Sequence, residues 1–552
     1  MSWFSILERE DYSDYLENIQ IIRNSIYDIN NLTDDEEKRN EINNIINTSI
    51  DYSNQMVGIG DFFEAGELLY SVAELLEDIS YTKTLDLYRE VISFWENQIN
   101  SYQMQGKIHE ISELYLRIAE IYGEKYKEFN LEKEYILKCI KCLKQESKLL
   151  GEFKEGRKLA QNYQNIAELY FKLSHYKKAI KYFKRVIEFA KIYKFYDILS
   201  YSYKQVSLSY EELDDYRNSK DILLDAIDFF MGLYEELKEK NDNLAIAQIS
   251  QIIKNLHQQL ENPKQYIFYS KREASSYINL AENLKKDDKN FYKIARYYRG
   301  AALCYKEIEQ NLLESASCFV LAGNYCKRIK DNNQTAINYF DAAKIFKKLN
   351  NYELAYKHFM KSGDNFWEIK SYNRSTESYL NAYDVAMEGN LEFNRFGLFN
   401  QIVRCLNIIA EHDLQNKQYY AAATLILESI KFYEQLDTAK DFLLREMIKN
   451  TYKYYYRAAN TKKINNSHIV HSYIIASLSL IIIGKLNKAK KIISEIDSKG
   501  KTIELFKQMI NIIVDKVSNN EKIEIKDFPF HMSRLIDSSD DIKYLINLFK
   551  RL

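Results

Sequence analysis

Small residues recur every 20 positions in the middle of this chain, and this spacing is the feature that most limits its fold. The small residues are Ala302, Ala322, Ala342, Ser362 and Ala382. An aromatic residue stands three positions before each of the last four, and these aromatics are Phe319, Tyr339, Phe359 and Tyr379. A unit of this length has room for a helix of about 15 residues and a short turn. The spacing therefore predicts a run of consecutive helices of similar length.

Side chains three or four positions apart share one face of a helix, so each predicted helix presents a small residue beside an aromatic one. The small residue lets the next helix approach closely, and the aromatic ring fills the groove beside it. The chain has only 2 Pro and 15 Gly among 552 residues, which favours long helices joined by short polar turns. We therefore expect an all-α fold, a right-handed α-solenoid of antiparallel helix hairpins.

The N-terminal half repeats at a longer interval. Similar pentapeptides begin at Val72, Ile118 and Ile166, with spacings of 46 and 48 residues, and Ala119 follows Ile118. Between Tyr163 and Ile187 the chain resembles a tetratricopeptide repeat, and the matching residues are Tyr163, Ile166, Ala167, Tyr170, Ala179 and Phe183. This resemblance implies a pair of antiparallel helices with the small and aromatic residues packed between them.

A second resemblance covers about residues 295–390, which are similar to the soluble NSF-attachment protein (SNAP) family. The first part of the match is a CF-x-x-AGN helix, and the next two helices carry A-I-x-x-[FY]-x-x-A and A-x-x-[HF] patterns. The matching residues are Cys318, Phe319, Ala322, Gly323, Asn324, Ala336, Ile337, Tyr339, Ala342, Ala343, Ala355 and Phe359. The resemblance implies a stack of tetratricopeptide-like helices in this segment.

For function, the SNAP resemblance implies a cytosolic adaptor that grips a coiled-coil SNARE bundle with a concave basic face. It also implies recruitment of a hexameric AAA-type ATPase through the C-terminus. Family members end in an acidic helix and a near-terminal Leu; this chain ends in Leu552 but has basic Lys550 and Arg551 before it. At the position of the family's membrane-touching loop, Gly58–Phe63, we expect a turn with Asp61 as N-cap.

Breaks in the pattern predict three domains. Residues 1–262 form a tetratricopeptide-like array, residues 263–460 form the SNAP-like stack, and residues 461–552 add hairpins and a last helix. Asn262–Pro263 marks the first boundary because Pro disfavours a helical residue before it. The last helix, Ile542–Leu552, is amphipathic. Two roles stay open for it: a cap of the array, or a tail that binds a partner.

Composition excludes several classes of protein. The 77 basic and 79 acidic residues leave a net charge of −2, so no overall field attracts nucleic acid. Six Cys without a paired framework, and a start (residues 1–15) without signal-peptide features, indicate a cytoplasmic protein. The apolar run Ile469–Ile483 is shorter than the roughly 20 residues that span a bilayer. We expect a buried helix there, with a membrane segment as the alternative and peripheral membrane association at most.

No motif indicates catalysis or a cofactor. Cys139 and Cys142 form an isolated C-x-x-C without a second pair, so core packing is the simpler interpretation. His468 and His471 lack an acidic or Cys ligand nearby, so packing and surface roles are again favoured over metal binding. Phosphate-binding and nucleophile-elbow motifs do not occur. We expect no enzyme activity, no metal and no cofactor.

Basic residues cluster on predicted helices and offer a candidate surface for binding other proteins. One group comprises Lys177, Lys178, Lys181, Lys184 and Arg185, and the other comprises Lys344, Lys347, Lys348, Lys357 and Lys361. Each group is either a solvated face or a surface for an acidic partner. We expect a protein-binding scaffold for helical, coiled-coil or extended segments, in its sharper form a SNAP-like adaptor in vesicle transport. The alternative is a regulatory sensor that binds a short peptide.

Overall fold

The computed structural model describes residues 35–77, 80–152, 155–285, 290–436, 441–461, 466–495, 501–519 and 539–551, with single positions between 521 and 536. In these residues there is no strand, and consecutive helices pack against each other, so the predicted all-α class is confirmed. The chain divides into two compact units, residues 1–232 with 259–261, and residues 233–258 with 262–552. The predicted boundary at residue 262 lies near this division, but the three-domain scheme stays a prediction.

Unit 1 contains eight complete α-helices and the first part of a ninth among its described residues. They are α1 (Asp35–Gly58), α2 (Phe62–Leu76), α3 (Tyr81–Gln105), α4 (Ile108–Glu120), α5 (Phe129–Glu152), α6 (Gly156–Lys172), α7 (Tyr176–Tyr193), α8 (Tyr196–Glu211) and α9 (Tyr216–Glu239). A π-helical turn, Ile121–Tyr126, follows α4. The predicted turn between α1 and α2 is confirmed, because the Asp61 carboxylate accepts a bond from the Glu64 backbone N–H (3.4 Å).

Unit 2 begins within α9 and contains the remaining helices. They are α10 (Asn243–Gln259), α11 (Pro263–Leu284), α12 (Phe291–Lys306), α13 (Leu312–Arg328), α14 (Asn332–Lys348), α15 (Tyr352–Glu368), α16 (Tyr372–Glu388), α17 (Arg395–Gln415), α18 (Tyr419–Tyr433), α19 (Asp441–Ala459), α20 (Asn466–Ile482), α21 (Leu486–Ser494), α22 (Lys501–Ser518) and α23 (Asp540–Arg551). Pro263 stands at the first turn of α11, where its missing N–H costs nothing, and Asn262 caps that helix.

A recurring turn explains the 20-residue period. Helices α13 to α16 each have 17 residues, and three residues connect each to the next. The middle residue of each connection is left-handed: Lys330, Asn350 and Lys370 have φ of 59°, 56° and 59°. The following N–H bonds back to the last helical turn, as from Asn351 to the Phe346 carbonyl (2.9 Å). This helix-ending motif resets the chain direction after the same number of residues each time.

The complete structural repeat in this region is 40 residues, or two helices. The ring of Tyr339 packs on Gly323, and its hydroxyl donates to the Asn324 side chain (2.7 Å). Forty residues later, Tyr379 packs on Gly363 in the same way. All the predicted packing residues are buried in the structure, with at most 5% of their surface exposed; they are Ala119, Ala167, Tyr170, Ala179, Ala302, Phe319, Ala322, Tyr339, Ala342, Phe359, Ser362, Tyr379 and Ala382.

The C-terminal helices form a compact core around α20. This helix contains the apolar run and is buried against its neighbours, as expected. Helix α23 covers it with Ile542, Leu545 and Ile546, each at most 3% exposed, so the capping role is the one that the packing supports. No helix among the described residues combines the length and apolarity needed to cross a bilayer. Residues 1–15, most of the predicted 461–467 linker and 518–529 loop, and Leu552 lie outside the described residues.

Candidate protein-binding surfaces

Helix α7 in unit 1 carries a row of cations, and α5 adds one more beside it. We call this surface the α7 belt; it comprises Lys144, Lys177, Lys178, Lys181, Lys184 and Arg185. Lys177, Lys178, Lys181 and Lys184 are exposed, and the other two are half-buried. Ala179 and Phe183 hold the opposite face of α7 in the core, which leaves the charged face free to point outward.

Tyrosine side chains hold four of the belt cations in place. The Lys144 ammonium donates a hydrogen bond to the Tyr170 hydroxyl (2.7 Å), and Lys184 donates one to Tyr210 (3.0 Å). The Lys178 ammonium also lies over the Tyr170 ring, 5.3 Å from its centre. Each such cation–ring contact contributes about 0.5–1 kcal/mol at an exposed site. These contacts restrict the side chains before any partner binds.

The rings beneath the belt also support each other. Tyr182 lies 5.7 Å from Tyr170 and 6.0 Å from Tyr163, measured between ring centres. The Arg185 guanidinium lies over both Tyr163 and Tyr182, at 5.6 and 5.3 Å. The belt thus stands on a joined aromatic platform built from α6 and α7.

The belt has no internal counter-ion. Across the part of the chain that the structure describes, no carboxylate comes within ion-pair distance of any belt cation. Burial lowers the pKa of Lys144, but the hydrogen bond to Tyr170 and the further interactions with Tyr170 and Tyr182 together more than offset it, so the pKa is raised and Lys144 remains charged. The chain as a whole has nearly equal numbers of basic and acidic residues, 77 and 79. The unpaired cations of the belt are therefore a local feature of the surface and do not result from an excess of basic residues.

The predicted lysines of α14 in unit 2 differ in their surroundings. Lys347 forms an ion pair with Glu388 of α16 (2.8 Å), so its charge is already neutralised. Lys344 is exposed and lies 4.4 Å from the Phe340 ring centre. Lys348 is exposed at the end of the helix.

The lysines of α15 meet a third lysine from α13. We call Lys327, Lys357 and Lys361 the α15 cluster. Lys361 is half-buried with its ammonium 5.3 Å from the Tyr339 ring centre. Burial lowers the pKa of Lys361, and the charges of Lys357 and Lys327 lower it further.

A buried histidine lies beside this cluster. His358 is 5% exposed and packs against the rings of Phe346 and Tyr339. Its Nδ1 has no hydrogen-bond partner within the described structure. Burial, followed by the charges of Lys361 and Lys357, lowers the pKa of His358 to about 4, so the ring is neutral at physiological pH.

The structure places the α14 and α15 lysines on different surfaces, although they lie on successive helices. Lys347 of α14 reaches α16, and Arg404 of α17 lies over Trp367 of α15 (4.7 Å), so alternate helices are neighbours in two layers. The exposed side of α14 therefore belongs to one layer and that of α15 to the other. One partner face cannot contact both groups directly, so the single α14–α15 surface suggested by the sequence divides into two.

The members of the candidate redox and metal pairs differ in their surroundings: Cys139 is buried, Cys142 and His471 are half-buried, and His468 is exposed. Cys139 is buried, and burial raises its pKa to about 12, which keeps the thiol protonated. His468 stacks on Tyr420 (4.5 Å), and the Nε2 of His471 lies 3.8 Å from Asp541. No three His, Cys, Asp or Glu side chains in the described residues have a metal-binding arrangement.

Two members of these surfaces were not identified from the sequence: Lys144 and Lys327. A signal for Lys144 was present in the repeat, because its bond to Tyr170 and the bond from Lys184 to Tyr210 both span 26 residues and lie 40 residues apart. Lys327 had no such signal, since only tertiary packing brings the end of α13 beside α15.

Comparisons with known proteins identify no family for this chain. No known family profile matches the chain, and no curated protein sequence matches it. One similar solved structure is a signal-transduction ATPase of the STAND class with a tetratricopeptide repeat sensor from Pyrococcus horikoshii. It is 14% identical with a TM-score of 0.26, and the match covers 82% of this chain and 74% of that one.

Two further structures show the same level of similarity. The apo form of RapI is 11% identical with a TM-score of 0.18, over 66% of this chain and all of that one. A human IFIT1 dimer with m7Gppp-AAAA is 12% identical with a TM-score of 0.18, over 80% of this chain and 88% of that one. None of the three is a SNAP protein, and scores this low identify no partner or activity. The helices themselves show that the chain is an α-solenoid of helix hairpins.

Proposed function

We propose that this chain is a non-catalytic protein-binding scaffold and that the α7 belt holds an acidic segment of another protein. The observation that carries the proposal is a row of six cations, four of them in contact with tyrosine side chains, with no ion-pair partner in the described residues. An acidic segment would provide the missing counter-charges. The proposal assigns no chemical reaction to the surface.

The supporting physical argument concerns order and desolvation. A lysine that is already held against a ring loses less side-chain freedom when it binds, and that loss is about 0.5–1.5 kcal/mol for a free side chain. Clustered like charges also attract an opposite partner over a distance of about 8 Å at physiological ionic strength. A stable interface needs roughly 800 Å² per partner, which a row of neighbouring helices can provide.

The SNAP resemblance of residues 295–390 suggests a sharper form of this proposal. The partner would then be a coiled-coil membrane protein, and an AAA-type ATPase would join the complex. Affinity purification of the tagged full chain tests it. Recovery of both proteins supports the adaptor, and recovery of a short peptide ligand without either supports the regulatory sensor instead.

A direct binding experiment tests the α7 belt itself. The probe is a fluorescent helical peptide of Glu and Ala, and the readout is fluorescence anisotropy with the full chain. Lys177→Gln/Lys181→Gln removes two exposed charges without touching the tyrosine contacts, and we expect it to weaken binding about tenfold. Raising the salt concentration from about 50 to 500 mM should weaken binding by the wild-type chain further than by the variant.

The matched control is Lys344→Gln/Lys348→Gln, which removes two exposed charges from α14 in unit 2. We expect the control to bind the probe like the wild type. Equal binding by the α7 variant and the wild type would refute the belt as the site. Tighter binding of a single-stranded RNA than of the acidic peptide would refute a protein partner.

A further inference from the structure

We propose that the partner segment of the α7 belt carries one large apolar side chain beyond its acidic run, and that this side chain docks on Ile192 and Tyr193 at the C-terminal end of α7. The inference rests on the proposed function, because it describes a second part of the same binding surface. We call Ile192 and Tyr193, with Phe189 and Phe195 beside them, the apolar end of the belt.

Ile192 lies on the same face of α7 as the belt cations. It follows Arg185 by seven residues and Lys184 by eight, and residues at these spacings share one face of a helix. The rise of 1.5 Å per residue places Ile192 about 16 Å from Lys181 along the helix axis. Ile192 is 71% exposed. The cationic face of α7 therefore ends in an aliphatic side chain that is open to solvent.

Aromatic rings continue from beneath the belt to this end of α7. Phe189 lies 5.8 Å from Tyr163 of the aromatic platform, measured between ring centres. The rings of Phe189 and Tyr193 are nearly parallel, with 6.4 Å between their centres and 4° between their planes. The ring centre of Phe195 lies 5.8 Å from that of Tyr193. The rings that support the cations and the apolar end of the belt thus form one continuous series of contacts.

The ring of Tyr193 is held in place although this residue is 44% exposed. It lies directly on the backbone of Gly156 at the start of α6, where an added Cβ would be 2.6 Å from Cε2 and Cζ of the ring. The guanidinium of Arg157, the next residue, lies 5.3 Å from the centre of the Phe195 ring. Exposed apolar side chains that are already fixed lose little freedom when a partner covers them, and aromatic residues are enriched in protein interfaces.

One carboxylate separates the two parts of the surface. Glu188 is exposed, stands between Arg185 and Ile192 in sequence and shares their face of α7. It would repel an acidic run that continued past Arg185. The partner residues opposite Glu188 must therefore be neutral or basic, so the acidic run ends there and the apolar side chain follows about one helical turn later.

The two parts of the surface contribute in different ways. The belt attracts the acidic run by charge, and this attraction weakens as salt is added. A Trp side chain laid on Ile192 and Tyr193 removes apolar surface of both molecules from water, and salt does not screen that contribution. Buried Trp side chains are also among the residues that most often dominate the affinity of protein interfaces.

Three fluorescent helical peptides test the inference with the full chain, by fluorescence anisotropy. All contain the same run of Glu in an Ala background. The first has no Trp, the second has Trp about two turns beyond the last Glu, and the third has Trp in the centre of the run. We expect the second peptide to bind about tenfold more tightly than the first, and the third to gain much less. The gain from the terminal Trp should persist at about 500 mM salt.

A pair of isoleucine variants locates the gain. Ile192→Ser should remove most of it and leave the binding of the peptide without Trp unchanged. The matched control is Ile59→Ser, which removes an isoleucine that is 83% exposed in the turn between α1 and α2, and it should keep the gain. Equal binding of the first two peptides to the wild-type chain, or an unchanged gain in Ile192→Ser, would overturn the inference and leave the belt in place.

Lys177→Gln/Lys181→Gln separates this inference from the proposed function. If the belt is the site, this variant binds all three peptides more weakly and keeps the gain from the terminal Trp. If it binds every peptide as tightly as the wild type does, the belt is not the site and the inference fails with it. Dimerisation of the wild-type chain that Ile192→Ser abolishes, measured by sedimentation velocity, would assign the apolar end to a second copy of the chain and overturn a partner segment as its occupant.

Discussion

The ring of Tyr379 lies directly against the backbone of Gly363, in the space that a β-carbon would occupy. A Cβ added at Gly363 would be 2.5 Å from Cε1 of Tyr379, which is far closer than two carbon atoms approach. Tyr379 is 1% exposed, so its ring has little room to move. This contact sets the distance between α15 and α16.

We therefore predict that Gly363→Ala lowers the free energy of unfolding by about 1–3 kcal/mol, because the added methyl overpacks the helix contact. Urea unfolding followed by circular dichroism measures the change. Gly232→Ala is the matched control: its Cβ would meet nothing within 4 Å, so the better helix propensity of Ala should raise stability by about 0.5–1 kcal/mol. Equal effects of the two changes would contradict the proposed role of the contact.

The left-handed turn residues give a prediction in the opposite direction. Lys370 has φ 59°, a conformation that costs about 1–2 kcal/mol for a residue with a β-carbon and little for glycine. Lys370→Gly should therefore raise the free energy of unfolding by up to about 1 kcal/mol in the same assay. Lys344→Gly, in a helix interior, should lower it by about 1 kcal/mol. A destabilised Lys370→Gly would show that the side chain of Lys370 matters more than its backbone.

His358 makes stability depend on pH. Its pKa is about 4 in the folded chain, against 6.5 for an exposed histidine, so the unfolded chain binds the proton more readily. The stability that comes from the neutral ring is fully present above pH 6.5 and is lost as the pH falls towards 4, by up to about 3 kcal/mol. His358→Leu should remove this part of the pH dependence. Unfolding curves of both chains between these two pH values provide the test, and identical pH profiles would contradict it.

A buried ion pair connects α10 and α11. Lys254 and Glu273 are 6% and 3% exposed, and their charged atoms lie 3.1 Å apart. Burial raises the pKa of Glu273 even though Lys254 acts to lower it. Lys254→Met would leave the carboxylate buried without its partner, which should cost about 3–5 kcal/mol at neutral pH.

The cost of Lys254→Met should shrink as the pH falls, because a buried carboxylate without a cation is more stable when protonated. The double variant Lys254→Met/Glu273→Gln should recover much of the loss, since it removes both charges. Thermal unfolding at about pH 5 and pH 7.5 compares the three chains. A double variant no more stable than the single one would show that the lysine acts through packing.

The last helix is predicted to stabilise the C-terminal core. Leu545 is 1% exposed and faces Leu478, Ile481 and Ile513 of α20 and α22. Leu545→Ala should therefore cost about 2–5 kcal/mol of unfolding free energy, whereas Asn547→Ala should change it by less than about 0.5 kcal/mol. If α23 were a mobile tail, the two variants would have the same stability.

Much of the fold followed from residue spacing. The 20-residue period of small and aromatic residues correctly predicted the helices from α12 to α16. Each helix packs on the next through one small and one aromatic side chain, so these residues recur once for every helix and its turn. The apolar run before Ile483 correctly predicted a buried helix. The spacing did not reveal the 40-residue repeat. That repeat depends on tyrosine rings that pack against Gly323 and Gly363, and these contacts are known only from the structure.

The candidate surfaces followed only in part. The sequence located the lysines of α7, α14 and α15, but neither their exposure nor their charge partners. Lys347 forms an ion pair with Glu388, two helices further along the chain, whereas the charges that act on Lys361 are those of Lys357 and Lys327. The local sequences do not show which lysine is paired with a carboxylate. The predicted binding role of these residues stays a prediction until the variants are measured.

The amino-acid sequence by itself determined that this chain forms consecutive helices and where their small and aromatic contacts lie. These properties follow from the side chains within each helix and from the regular spacing of the small and aromatic residues. Only the tertiary structure decided which cations are neutralised and which converge, because charge interactions depend on distances between helices that are far apart along the chain. The α7 belt and the α15 cluster could therefore be identified only from the three-dimensional packing of the helices.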